Sequence, residues 1–172
     1  MDLFDAIQRR CSYRGEFLPG SVPREDLEKI VAAGAAAPSG CNKELTEFVI
    51  VDDPDARAAV AALFPDKAFV RTAPAFIVIA SDPTPVYGNQ DFELADSAAA
   101  AENLLLAIVA LGYASVWLDG YLRGGVDVKL AELLRIPPPK VARILLPVGR
   151  SAAAATGPKK KPWRSRTHWN RW

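Results

Sequence analysis

Four short segments carry residue types whose spacing could do chemistry. The first is Arg9-Arg10-Cys11-Ser12-Tyr13-Arg14. In extended chain, side chains two apart share a face, so Arg10, Ser12 and Arg14 project together. Two guanidinium forks and a hydroxyl suit a phosphate; the segment alone reads equally as a solvated basic loop. The second is Pro38-Ser39-Gly40-Cys41-Asn42. Backbone amides in so tight a turn can approach a planar ligand, and Asn42 offers a donor and an acceptor. A connecting loop fits the same residues. No histidine lies near Cys41 in sequence to activate it as a nucleophile, so it reads as a small thiol, buried or half-buried. The third is Trp117-Leu118-Asp119-Gly120, at the end of an apolar strand. Ligands often sit beyond strand carboxyl ends, and Gly120 lets backbone come close to one; an ordinary strand exit is the plainer reading.

The fourth is the tail, Gly157-Pro158-Lys159-Lys160-Lys161-Pro162-Trp163-Arg164-Ser165-Arg166. Lysines beside tryptophan suit a second phosphate contact or weak nucleic-acid contact, against a default of solvated chain. Three exposed indoles at Trp163, Trp169 and Trp172 would be costly, so the tail is expected to pack on something, such as a partner subunit. His168 reads as structural. No side chain in these segments is identified as a catalytic acid, base or nucleophile.

Composition narrows the classes. The chain has 172 residues, 50% hydrophobic and 24% charged, which predicts a single globular domain over 1–172 with 151–172 as a basic, Trp-rich extension. A net charge of +1 argues against nucleic acid or an anionic membrane as partner of the whole chain. Two cysteines and one histidine, without ligand-type spacing, argue against a disulfide framework and a metal site. Met1-Asp2-Leu3-Phe4-Asp5 lacks a secretory pattern, and the apolar run 103–118 is too short and broken to span a bilayer. A cytoplasmic domain is the expectation.

The elements that must position these segments follow from pattern. Leu3, Phe4 and Ile7 predict an amphipathic helix running into Arg9 and Arg10. Pro23 opens a second helix carrying Leu27, Ile30 and Val31 on one face. Strands are expected at 48–51, 75–80, 114–118 and 141–148, with helices from Asp53-Pro54 to Leu63 and over 128–134. The run 75–80 is continuously apolar and therefore central, covered on both faces. A long helix over 92–111, apolar nearly all round in its second half, should be buried on several sides. Its own sheet and helices would cover it, or a second copy would. The count is about four strands and five helices.

The order and spacing of these segments resemble the FMN-dependent nitroreductase family over nearly the whole chain. The carrying residues are Arg10-x-Ser12-x-Arg14, then Ala37-Pro38-Ser39-Gly40-Cys41-Asn42, a helix of Asn103-Leu-Leu-Leu-Ala type ending in Leu111-Gly112, and Ser115-Val116-Trp117-Leu118-Asp119-Gly120. Leu134 to Pro137, Leu146 to Gly149 and Pro158 to Lys161 complete the pattern. The resemblance implies an α+β fold, an α/β/α sandwich of four to five strands, dimeric about a long buried helix. It implies FMN held at its phosphate by Arg10, Cys11, Ser12 and Arg14 with Lys160 and Lys161. It implies flavin contacts from Gly40 and Asn42, from Pro38 and Ser39 with that Pro-Ser stretch supplied by the other subunit, and from Trp117, Leu118, Asp119 and Gly120, with an amide near Gly120 at flavin N5. Cys11 departs from the usual Arg or His, and Asn42-Lys43-Glu44-Leu45 replaces Asn-x-Gln-Pro.

The activity implied passes hydride from NADH or NADPH through the flavin to a small electron-poor acceptor: a nitroaromatic, a quinone or a free flavin. In such enzymes the cofactor carries the chemistry and the protein binds and orients it. Two other readings remain at this point: different flavin chemistry on the same scaffold (dehalogenation, azoline oxidation, flavin fragmentation), and a non-enzymatic flavin- or nucleic-acid-binding module.

Overall fold

Side-chain alternation along one strand sets the layers. In the computed structural model, which describes residues 1–172, four strands form an antiparallel sheet. They are β1 (Thr46–Val51), β2 (Ala75–Ser81), β3 (Ala114–Ser115) and β4 (Val141–Gly149), in the order β1-β2-β4-β3. Every residue of β2 is buried, as its unbroken apolar run requires. Phe76, Val78 and Ala80 point into one core, Ala75, Ile77 and Ile79 into the other. On the first face lie α3 (Pro54–Ala62), α4 (Ala68–Arg71) and α6 (Val126–Leu133), which contribute Val60, Phe69, Val70 and Leu130. On the second lie α2 (Arg24–Ala35) and α5 (Glu93–Ala110), with Leu27, Ile30, Leu104, Leu105 and Ile108. The result is the expected three-layer α+β sandwich.

Two irregularities in β4 matter. Between Ile79 and Ala80 the β2–β4 register skips Arg143, a bulge that turns Ala142 to the opposite face from Ile144. The extra residue reaches α5, where its guanidinium pairs with the buried carboxylate of Glu93. The second is Pro147. Leu118 and Leu145 exchange both backbone hydrogen bonds, and Ser115 pairs with Val148, so Val116 faces Pro147. Proline has no N–H to give the ladder. The strand expected over 114–118 therefore breaks into β3 and an isolated bridge at Leu118.

Helix burial departs from expectation in a way that bears on assembly. α2 and α5 approach closely: a Cβ on Gly34 would lie 2.8 Å from the Leu104 side chain, and the Asn103 amide donates to the Ala33 carbonyl at 3.0 Å. α5 buries the faces it turns to α2 and the sheet, yet Leu94 and Ala110 are exposed and Leu106 and Val109 only partly covered. α1 (Leu3–Arg9) lies along α5, and its apolar face turns outward, with Leu3, Phe4 and Ile7 at 60%, 73% and 48% exposure. α4 was not expected, giving six helices instead of five. No helix is long and apolar enough to cross a membrane.

Candidate functional site

The Arg-x-Ser-x-Arg segment is extended because it lies along the outer edge of β3. The Tyr13 amide donates to the Ser115 carbonyl at 2.9 Å. Tyr13 and Phe17 are buried while Ser12, Arg14 and Glu16 are exposed, the period of two the spacing predicts. The Tyr13 ring meets Phe17 edge-on at 5.4 Å, and its hydroxyl donates to the Glu16 carbonyl at 2.6 Å. Phe17 bridges Ser151 and Ala152 donates to Glu16, so the start of the tail is tied to this segment. That brings Gly157 against Cys11: a Cβ there would sit 2.9 Å from the cysteine Cβ.

Between the segment, the last turn of α5 and the tail opens a cavity of about 830 Å³. Arg9, Arg10, Arg14 and Lys160 line it with Cys11, Ser12 and Tyr113, and no aspartate or glutamate does. Its size is that of a small-molecule pocket, roughly 300–1,000 Å³, and its donor set is that of an anion site. Thus Arg10, Cys11, Ser12, Arg14 and Lys160 come together as expected, whereas Lys161 does not line the cavity.

The other expected segments lie elsewhere. Gly40 to Asn42 form a single 3-10 turn, with Cys41, Asn42 and nearby Glu44 at positive φ. The Gly40 amide donates to Asp96 at 2.9 Å, and the Asn42 amide donates to Glu44 at 3.2 Å. Pro38 and Ser39 line a pocket of about 140 Å³ beside Asp96 and Thr46. This turn packs on the first turn of α5, while the cavity reaches Val109 in the last. Thirteen residues of helix separate them, about 20 Å at 1.5 Å per residue.

Trp117 is partly exposed at the sheet edge, but Leu118 is buried in the core and both its backbone groups serve β4. Asp119 and Gly120 are exposed, and the Gly120 amide donates to the Asp119 carboxylate at 2.6 Å. That amide is thereby already partnered.

Arg9 and Tyr113 line the cavity without having been expected there; the signal for Tyr113 was its place between Gly112 and β3, at the edge where the basic segment runs. The Tyr113 hydroxyl donates to Asp26 at 2.8 Å, and the Arg150 guanidinium lies 5.3 Å from its ring centroid. The Tyr113 hydrogen bond, with Lys29 alongside, holds the Asp26 carboxyl below its usual range. Burial, then the bond to Asp26, pushes the Tyr113 phenol up.

A three-layer α+β fold with an acid-free, arginine-lined cavity at the sheet edge defines the class. The nitroreductase family profile matches residues 7–82 and 63–150, and the chain belongs to that family. An Archaeoglobus fulgidus protein with the provisional name NADH dehydrogenase/NAD(P)H nitroreductase is 38% identical over 113 residues, 66% of this chain and 65% of that one, just under two thirds of its length. A crystal structure of a Bacteroides thetaiotaomicron protein with the same provisional name superposes with a TM-score of 0.85 at 27% identity, over 99% of this chain and 98% of that one. The NADPH:FMN oxidoreductase of Vibrio harveyi shares the fold, with a TM-score of 0.83 at 22% identity over 99% of this chain and 77% of that one.

Proposed function

We propose that the chain binds FMN and reduces a small electron-poor acceptor at the expense of NADH or NADPH, as a homodimer with two shared sites. The observation that carries this reading is the cavity with four cationic side chains and no acid. Arg14 and Lys160, free of any ion pair, and Arg10 would hold the phosphate, with the Ser12 hydroxyl as a neutral donor. Tyr113, fixed by Asp26, would form the floor at the sheet edge.

FMN bound there would supply the redox chemistry, accepting hydride from the nicotinamide and returning electrons to the acceptor. Nitroaromatics, quinones and free flavin fit that description. The protein contributes binding, orientation and positive charge near a group that gains electrons.

The spacing of the two segments supports sharing between two copies. The Pro38–Asn42 turn and the cavity stand about 20 Å apart along α5, at opposite ends of the helix. The outward faces of α1 and α5 offer the surface on which a second copy would bring its turn to this cavity. The basic tail, exposed throughout residues 152–172, would pack on that copy and cover its three indoles.

The test is an absorbance spectrum of the purified protein followed by anaerobic titration with NADH and with NADPH. A flavin spectrum that bleaches with either donor is expected. A colourless protein that also fails to take up added FMN would overturn the reading.

A further inference from the structure

Of the four cations lining the cavity, only Arg10 is in an ion pair. Its Nε lies 3.2 Å from Oε1 of Glu102, which comes from the middle of α5 and does not itself line the cavity. The contact takes the inner edge of the guanidinium and leaves the two terminal nitrogens, the pair that grips a phosphate bidentately. Arg10 is the less exposed partner, at 21% against 48% for Glu102. A free arginine spreads over many rotamers, and ordering it beforehand lowers what binding must later supply.

We infer that Glu102 is a positioning residue for the phosphate site, holding the Arg10 guanidinium with its fork toward the cavity. This rests on the FMN reading above. It makes a counterintuitive claim: an anion set beside an anion site strengthens binding there. Charge counting alone says the opposite, since deleting the carboxylate would raise the local positive potential. The competing arrangement is that Glu102 occupies Arg10 until the ligand displaces it, and there too its loss would tighten binding.

The experiment titrates FMN into the flavin-stripped protein, following quenching of flavin fluorescence, for wild type, Glu102→Gln, Arg10→Gln and the double variant. Glu102→Gln is expected to raise Kd roughly three- to fivefold, the scale of a partly exposed pair. In the Arg10→Gln background it should change nothing further. Glu28→Gln, which removes a carboxylate paired with Arg24 on α2, serves as the matched charge control and should not weaken binding. Unchanged or tighter binding by Glu102→Gln overturns the inference. So does equal weakening with Arg10 already gone, because the effect would then run through the fold. If wild type itself takes up no FMN, the flavin reading falls on its own. Glu102 is then judged in the ligand-free protein from the NMR signal of the Arg10 Nε–H: faster solvent exchange in Glu102→Gln sustains the holding role, and unchanged exchange ends it.

Discussion

Single residues here divide by whether they face the cavity or hold something that does. Arg14 is exposed, carries no ion pair and lines the cavity, so Arg14→Ala should leave the melting temperature of the flavin-free protein unchanged. FMN binding should weaken by roughly one to two powers of ten, the scale of a hydrogen bond to a charged group. Fluorescence titration reads both the loss and its salt dependence. Tyr113 and Asp26 predict a pH effect with a definite sign. Asp26 has a lowered folded pKa, so its contribution is full above the unfolded value of about 3.9 and disappears as pH falls through the folded one. Tyr113 has a raised folded pKa, so its contribution is full below the unfolded value of about 10 and disappears as pH rises through the folded one. Melting temperatures of Tyr113→Phe should therefore fall less steeply than wild type at both extremes. At this scale the sequence showed much of the site. The alternation of 10, 12 and 14 was readable because strand geometry has one period. The pairing of Arg10 with Glu102 was not, because 92 residues and a helix packing angle separate them.

Elements were legible in proportion to their apolar pattern. β2 announced its central place by an unbroken run, and α2 by Leu27, Ile30 and Val31 on one stripe. α4 was hidden because four residues make only one turn, with no period to detect. The bulge at Arg143 and the break opposite Pro147 are properties of strand pairs, and a single strand read alone carries no sign of its partner's register. The α2–α5 contact yields a stability prediction. Gly34→Val would put a side chain into space that Leu104 already fills, costing about 1–3 kcal/mol. Leu104→Ala, at a fully buried position, should cost about 2–5 kcal/mol. Urea unfolding of the two variants checks both; wild-type midpoints would show that the helices do not meet as described.

For the whole molecule, the decisive feature is what one chain leaves uncovered. The sequence suggested that α5 needs cover on several sides, and one chain leaves Leu94 and Ala110 of α5 and the apolar face of the adjoining α1 exposed. Phe4→Asp places a charge in the middle of that face, where Phe4 is 73% exposed and so not needed for folding of the chain itself. Sedimentation should show a shift from dimer to monomer, with loss of FMN at the same concentrations; a monomer that keeps full affinity would mean each site is built from one chain. Assembly also bears on the distribution of charge. Residues 151–172 hold six of the 21 basic side chains and none of the 20 acidic ones, so the first 150 residues carry a net −5 beneath a tail of +6. The near-neutral total is thus a balance between two regions of opposite sign. One proteolytic cut near Ala152–Ala155 that released the tail would convert a faintly basic protein into a distinctly acidic one, so cut and intact forms will separate on an ion-exchange column by charge as well as by size.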